Sequence, residues 1–284
     1  MIKVDEGSRG RLGNKIFLFH TLMQLSQILE QTPYTVKWKG YEHFVPTCDI
    51  LPGGYRASGG SGHPRDYEIS HRELLDENIA TLKERYSKGD WRIHPYSLIG
   101  PFFRITKKDP REFLKLKLQY LNEISTPCVG IHIRGGDNRG GDGKKCREVH
   151  PPDYYISAID AILKDVSEPT FFLCTDDPDD DYPSYAQTIK YLQDKKADLC
   201  FSPSNSPIRD FSILSECDYL IAGSSTFVLA AGMIGKKKKI IHSKDFIEQF
   251  KNGDQKWYSG FGNGMFFHDM NHVKSDYYDL WRLI

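Results

Sequence analysis

The stretch Val129-Gly130-Ile131-His132-Ile133-Arg134-Gly135-Gly136-Asp137 decides how this chain is read. An apolar run ends abruptly in His132, Arg134 and Asp137, with two glycines among them. Such a run suits a buried strand, and open α/β sheets bind their ligands at the carboxyl ends of strands. A guanidinium beside glycines, which let backbone approach closely, suits a phosphate or diphosphate. An ordinary strand-end ion pair of Arg134 with Asp137 explains the same residues, so the segment needs support from its surroundings.

Downstream the pattern is regular. Strands are expected at 128–134, 170–174, 199–201, 219–222 and 239–241, alternating with helices at 152–164, 185–194, 208–216 and 226–234. That alternation implies an α/β fold with a mostly parallel sheet. Upstream, a short strand at 2–4 leads through Gly7, Gly10 and Gly13 into a helix carrying Phe17, Leu18, Leu22, Leu25, Ile28 and Leu29 at three- and four-residue spacings. A strand is expected at 34–38 and helices at 77–86 and 110–121, with a long Gly-, Pro-, Ser- and His-rich loop at 46–75 that could line an acceptor site. The tail contains Trp257, Tyr258, Phe261, Phe266, Phe267, Tyr277, Tyr278 and Trp281, which need apolar surface to pack against. The expected organisation is an amino-terminal lobe at 1–123, a Rossmann-like lobe at 124–244, and an aromatic tail at 245–284 packing across both.

Bulk composition removes several classes. The 284 residues hold 38 Lys and Arg against 38 Asp and Glu, so no global basic field recruits nucleic acid or an acidic membrane. The start lacks the apolar region of a signal peptide, and no apolar run approaches the ~20 residues of a membrane span. Six cysteines are scattered without a CxxC pair, which argues against a disulfide framework or a structural zinc site and for a cytoplasmic location. His268 and His272 have the spacing of a helical metal pair but lack a zincin's glutamate, so no metal site is expected.

Four constellations remain. The loop before the first helix, ending in Gly13 and Asn14, is neither a dinucleotide fingerprint nor a P-loop, but it can present N–H groups and a helix start to an anion. The His132/Arg134/Asp137 strand end is the second. The third is Thr175-Asp176-Asp177, another apolar strand ending in polar residues, where helix capping competes with ligand binding. In the fourth, Asp210 heads a short helix, where it can cap or can accept from the N1–H and N2–H₂ edge of guanine. Gly223-Ser224-Ser225-Thr226 then makes a strand-to-helix turn carrying three hydroxyls. N-capping accounts for one of those hydroxyls but not for all three.

Taken in order, these blocks resemble the GDP-fucose-dependent fucosyltransferases of the α1,2, α1,6 and protein-O superfamily. Gly10-Arg11-Leu12-Gly13-Asn14 is similar to its G-x-x-G-N block, His132-Ile133-Arg134 to its H-x-R motif, and Thr175-Asp176-Asp177 to its T-D-D strand end. Asp210, Asp218, Ser225 and Thr226 have the spacing of its third motif, and the nearby Leu214-Ser215-Glu216-Cys217 tilts the likeness towards the α1,2 branch.

The resemblance implies a GT-B fold of two Rossmann-like lobes, and inverting, metal-independent transfer of L-fucose from GDP-fucose to a glycan hydroxyl, with no cofactor. On that resemblance the first lobe is the acceptor side and the second binds the nucleotide sugar. It implies that Arg134 grips the diphosphate, His132 lies near the nucleoside and Asp210 reads guanine. Ser225 and Thr226, with Ser224 beside them, bind phosphate, Gly13 and Asn14 face the donor from the first lobe, and Asp176 stands at the donor edge. Asp137 and Asp142 are the candidate bases for the acceptor hydroxyl. Two departures matter: Gly135 stands where H-x-R-R carries a second arginine, and Lys15 where glutamine is common. They leave open a transferase for another GDP-sugar, or a non-catalytic nucleotide- or glycan-binding relative.

Overall fold

The computed structural model describes residues 2–4, 12–35, 42–46, 68–69, 78–93, 112–117, 119, 124–135, 150–202, 206–223, 225–235, 239–242 and 281–283. The chain divides into two compact units. One comprises Met1–Lys115 with Gln249–Ser275, and the other Leu116–Glu248 with Asp276–Ile284.

In the first unit, strand β1 (Ile2–Val4) leads to helix α1 (Leu12–Ile28) and strand β2 (Pro33–Thr35). Strands β3 (Phe44–Pro46) and β4 (Glu68–Ile69), helix α2 (Ile79–Tyr86) and strand β5 (Trp91–Ile93) follow. A four-stranded sheet runs in the order β2-β1-β5-β4, every pair parallel. Helix α1 is buried almost all round, as its Phe17, Leu18, Phe19, Leu22, Met23 and Leu25 dictate. Helix α2 starts on Asn78, whose side chain accepts the Thr81 N–H at 2.8 Å.

The helix expected over 110–121 is corrected. Leu114–Leu116 is a strand, β6, which pairs with β3 in a separate two-stranded sheet. Its burial runs buried, exposed, buried, so the period-2 alternation of Leu114, Lys115 and Leu116 governs here. Strands β3, β4 and β5 are too short to leave a periodic signal.

The second unit holds β7 (Cys128–Ile133), α3 (Pro152–Leu163), β8 (Thr170–Thr175), α4 (Pro183–Asp194) and β9 (Leu199–Phe201). It continues with α5 (Pro207–Glu216), β10 (Tyr219–Ala222), α6 (Thr226–Ile234), β11 (Lys239–His242) and β12 (Trp281–Leu283). Its six strands lie in the order β12-β11-β10-β7-β8-β9, all parallel. The final strand was not expected from the sequence; three residues, Trp-Arg-Leu, carry no period. The rest of the aromatic tail lies outside the described residues.

All six residues of β7 are buried, which is the signature of a parallel strand covered by helices on both faces. Val129, Ile131 and Ile133 join Tyr155, Ile159 and Ile162 of α3 and Leu192 of α4 in one apolar cluster, while His132 points to the opposite face. From β7 the chain builds outward to β8 and β9, then returns across to β10 on the other side of β7. The strand order therefore reverses between β7 and β10. Open α/β sheets bind ligands in the crevice outside such a switch point.

Candidate active site

The residues picked from the sequence in the second unit gather at that edge. Arg134 directly follows β7, Asp176 follows β8, Asp210 lies in the first turn of α5, and Ser225 and Thr226 open α6 just past β10. Asp137, Asp142 and Ser224 lie outside the described residues. Gly13 and Asn14 sit in the first turn of α1, in the other unit, with Gly13 buried.

The side chain of Arg134 is only 13% exposed and forms an ion pair with Asp176 through Nη1. The other Asp176 oxygen accepts the Gly135 N–H at 2.9 Å. One carboxylate thus aligns both the guanidinium and the backbone amide beside it, a charge-assisted arrangement that holds a donor array in place. From behind, the Tyr182 hydroxyl donates to the Arg134 carbonyl at 2.7 Å. Sequence reading missed Tyr182, since a tyrosine before a helix carries no functional signature.

Burial, outweighing the attraction of Asp176, lowers His132 from the ordinary imidazole range to about 4, with the Arg134 charge acting in the same direction as burial. It is neutral at pH 7, its ring packs at 5.6 Å from that of Phe227, and its Nδ1 has no hydrogen-bond partner. An unpaired buried polar atom at a binding edge is a place for a ligand's group.

At the other side of the switch point the Gly223 N–H donates to the His132 carbonyl at 3.0 Å. A β-carbon at Gly223 would stand 2.7 Å from that oxygen and 3.1 Å from the Tyr155 hydroxyl, so only glycine lets β10 leave the sheet this close to β7. The Ser225 hydroxyl accepts the Phe227 N–H at 3.2 Å and caps α6. Its proton remains for a ligand, and the helix start offers the partial positive charge that favours an anion.

Asp210 does not cap α5. Ser206 occupies the cap position, its carbonyl accepting the Arg209 and Asp210 N–H groups at 3.0 and 3.2 Å. The Asp210 carboxylate accepts from the Ser202 hydroxyl instead. Burial pushes its pKa up, the Ser202 bond pulls it down, and the Asp176 charge adds a smaller upward push. Asp218, spaced like a motif residue, belongs to the opposite edge, where it accepts the Cys128 N–H at 3.2 Å and pins the start of β7.

An anion-binding edge built from one guanidinium and a capped helix start, with a half-buried carboxylate nearby, fits a nucleoside diphosphate. The model of glycosyl transferase family 11 matches residues 102–258, more than half of the chain and the whole described edge of the second unit. The chain belongs to glycosyl transferase family 11. It is a glycosyltransferase.

Nothing among curated proteins matches the chain. Among solved structures, POFUT1 in complex with GDP-fucose superposes with a TM-score of 0.53 at 10% identity, over 84% of this chain and 96% of that one. POFUT1 in complex with GDP gives 0.51 at 10% identity, over the same shares. NodZ α-1,6-fucosyltransferase co-crystallised with GDP gives 0.49 at 16% identity, over 86% and 95%. The fold of this family 11 chain is therefore of the GT-B kind, two α/β units with parallel sheets. Among the described residues no helix is long and apolar enough to cross a membrane.

Proposed function

We propose that this family 11 glycosyltransferase moves L-fucose from GDP-fucose to a glycan hydroxyl, inverting the anomeric centre, forming an α1,2 linkage and requiring no divalent metal. The observation that carries the reading is the placement of Arg134 and of the α6 start on the two sides of the β7/β10 switch point.

Glycosyl transfer passes through an oxocarbenium-like state while negative charge grows on the leaving diphosphate. Arg134 and the first-turn N–H groups of α6 are the local supply of positive charge for that leaving group. Asp210 accepts from the guanine edge, and neutral His132 offers its unpaired nitrogen to the nucleoside. The acceptor hydroxyl gives its proton to a carboxylate, Asp137 or Asp142, both in the segment that follows Arg134. The GDP and GDP-fucose complexes of POFUT1, a protein of the same fold, support the choice of nucleotide.

Titration with GDP, GDP-fucose, GDP-mannose, UDP and ADP, in EDTA throughout, tests the donor side. GDP-selective binding with a preference for the fucosyl donor is the expected result. Loss of guanine preference would remove the proposal, and preference for GDP-mannose would reassign the sugar. NMR of the product formed on a galactose-terminated glycan then reads anomeric configuration and linkage together.

A further inference from the structure

The carboxylate assigned to guanine is itself held by a residue that neither the motifs nor the fold comparison single out. Ser202 immediately follows β9, and its N–H donates to the Leu173 carbonyl at 3.1 Å, extending the β8–β9 ladder by one rung. The sheet therefore sets the position of its hydroxyl, which donates to Oδ1 of Asp210 on α5. We infer that Ser202 is the positioning residue for base selection, fixing the plane of the Asp210 carboxylate so that its remaining lone pairs meet the guanine N1–H and N2–H₂ groups. The inference rests on the reading of Asp210 as the guanine-recognising residue.

Two physical effects make the hydroxyl necessary. The terminal torsion of an aspartate is soft and roughly two-fold, so an untethered carboxylate samples a wide range of planes. An ionised carboxylate offers about four acceptor positions, so one bond from Ser202 leaves enough for both guanine donors. The second effect is charge. Burial and the Asp176 carboxylate both favour a protonated Asp210, and the Cys174 thiol packs 4.0 Å from the Asp210 carbonyl without offering it positive charge. Ser202 is the neighbour that works in the other direction. A protonated Asp210 gives up one acceptor position to its own proton, and a buried donor left unpaired on the base then weakens binding.

The test compares wild type with Ser202→Ala and Ser202→Thr by calorimetric titration of GDP, IDP, which lacks the N2 amino group, and ADP, across pH 4 to 8. Wild type is expected to favour GDP over IDP about tenfold, the size of one hydrogen bond to a charged group. Ser202→Ala is expected to lose most of that preference while its ADP affinity holds, and to show the acid limb of GDP binding at higher pH than wild type. Ser202→Thr, which keeps the hydroxyl, is expected to restore both. A folded Ser202→Ala with the wild-type GDP:IDP ratio and acid limb overturns the inference. If the alanine variant does not fold, Ser202→Cys, similar in size but a weak donor, is read the same way. Asp210→Ala separates the two levels. Loss of guanine preference there but not in Ser202→Ala removes only the role of Ser202, whereas retained preference in both removes the guanine reading itself.

Discussion

Asp177 stands directly over the α-carbon of Gly135: a β-carbon placed at residue 135 would lie 2.5 Å from the β-carbon of Asp177 and 2.8 Å from its Oδ2. The Asp177 N–H is tied to the Thr175 hydroxyl at 3.1 Å, so the turn that carries this side chain is braced. The position at which related branches carry a second arginine is thus closed to any side chain. Gly135→Ala is expected to cost about 2 kcal/mol through overpacking, measured by denaturant unfolding. Pairing it with Asp177→Gly should recover most of the loss, giving a coupling that two independent sites would not show. Additive losses would mean that Asp177 does not define the space at 135.

On the proposed reading, Arg134 carries the charge of the leaving group. Arg134→Ala is expected to lower turnover by roughly 10²–10³-fold, the effect of removing one aligned transition-state donor, with the far-UV spectrum unchanged. Arg134→Lys should recover little, because an ammonium cannot reproduce the planar fork that meets Asp176 and a phosphate oxygen together. Near-normal rates in folded Arg134→Ala would end the assignment of this residue.

How far the fold could be read from the chain follows from element length and burial. The second unit was legible because β7 and β8 are long apolar runs and the four helices between strands keep their apolar spacing. The first unit was harder, since β3, β4 and β5 span two or three residues each and present no period. The segment around β6 was misread as helical because leucines three or four apart satisfy both templates over so short a run. At the candidate site, glycines and charges at strand ends pointed to residues 134, 176, 210 and 225. Ser202 and Tyr182 were invisible, because each acts on a site residue through one hydroxyl whose partner is set only by the fold.

The neutral, buried His132 makes the protein acid-sensitive in a defined window. Its folded-state pKa of about 4 lies below the ordinary 6.5, so the unfolded chain binds the extra proton first as pH falls. The contribution is complete above pH 6.5 and lost progressively towards pH 4, on the order of 3 kcal/mol in total. His132→Phe is expected to flatten stability across that window in urea unfolding followed from pH 7 to 4. A slope equal to that of wild type would show that His132 does not set it.

The Tyr182 hydroxyl gives a sharper test of how Arg134 is held. Removing it in Tyr182→Phe leaves the Arg134 carbonyl without its 2.7 Å donor and should cost about 1 kcal/mol of stability. Tyr191→Phe breaks a hydroxyl bond to Asp160 between α4 and α3, away from the strand ends, and serves as the matched control. If the Tyr182 bond fixes the backbone from which the guanidinium projects, Tyr182→Phe should lower kcat about tenfold with little change in KM, since a small misplacement acts chiefly on the transition state. Tyr191→Phe should leave kcat within error. Equal effects of the two variants on kcat would mean that the Tyr182 bond acts on stability alone.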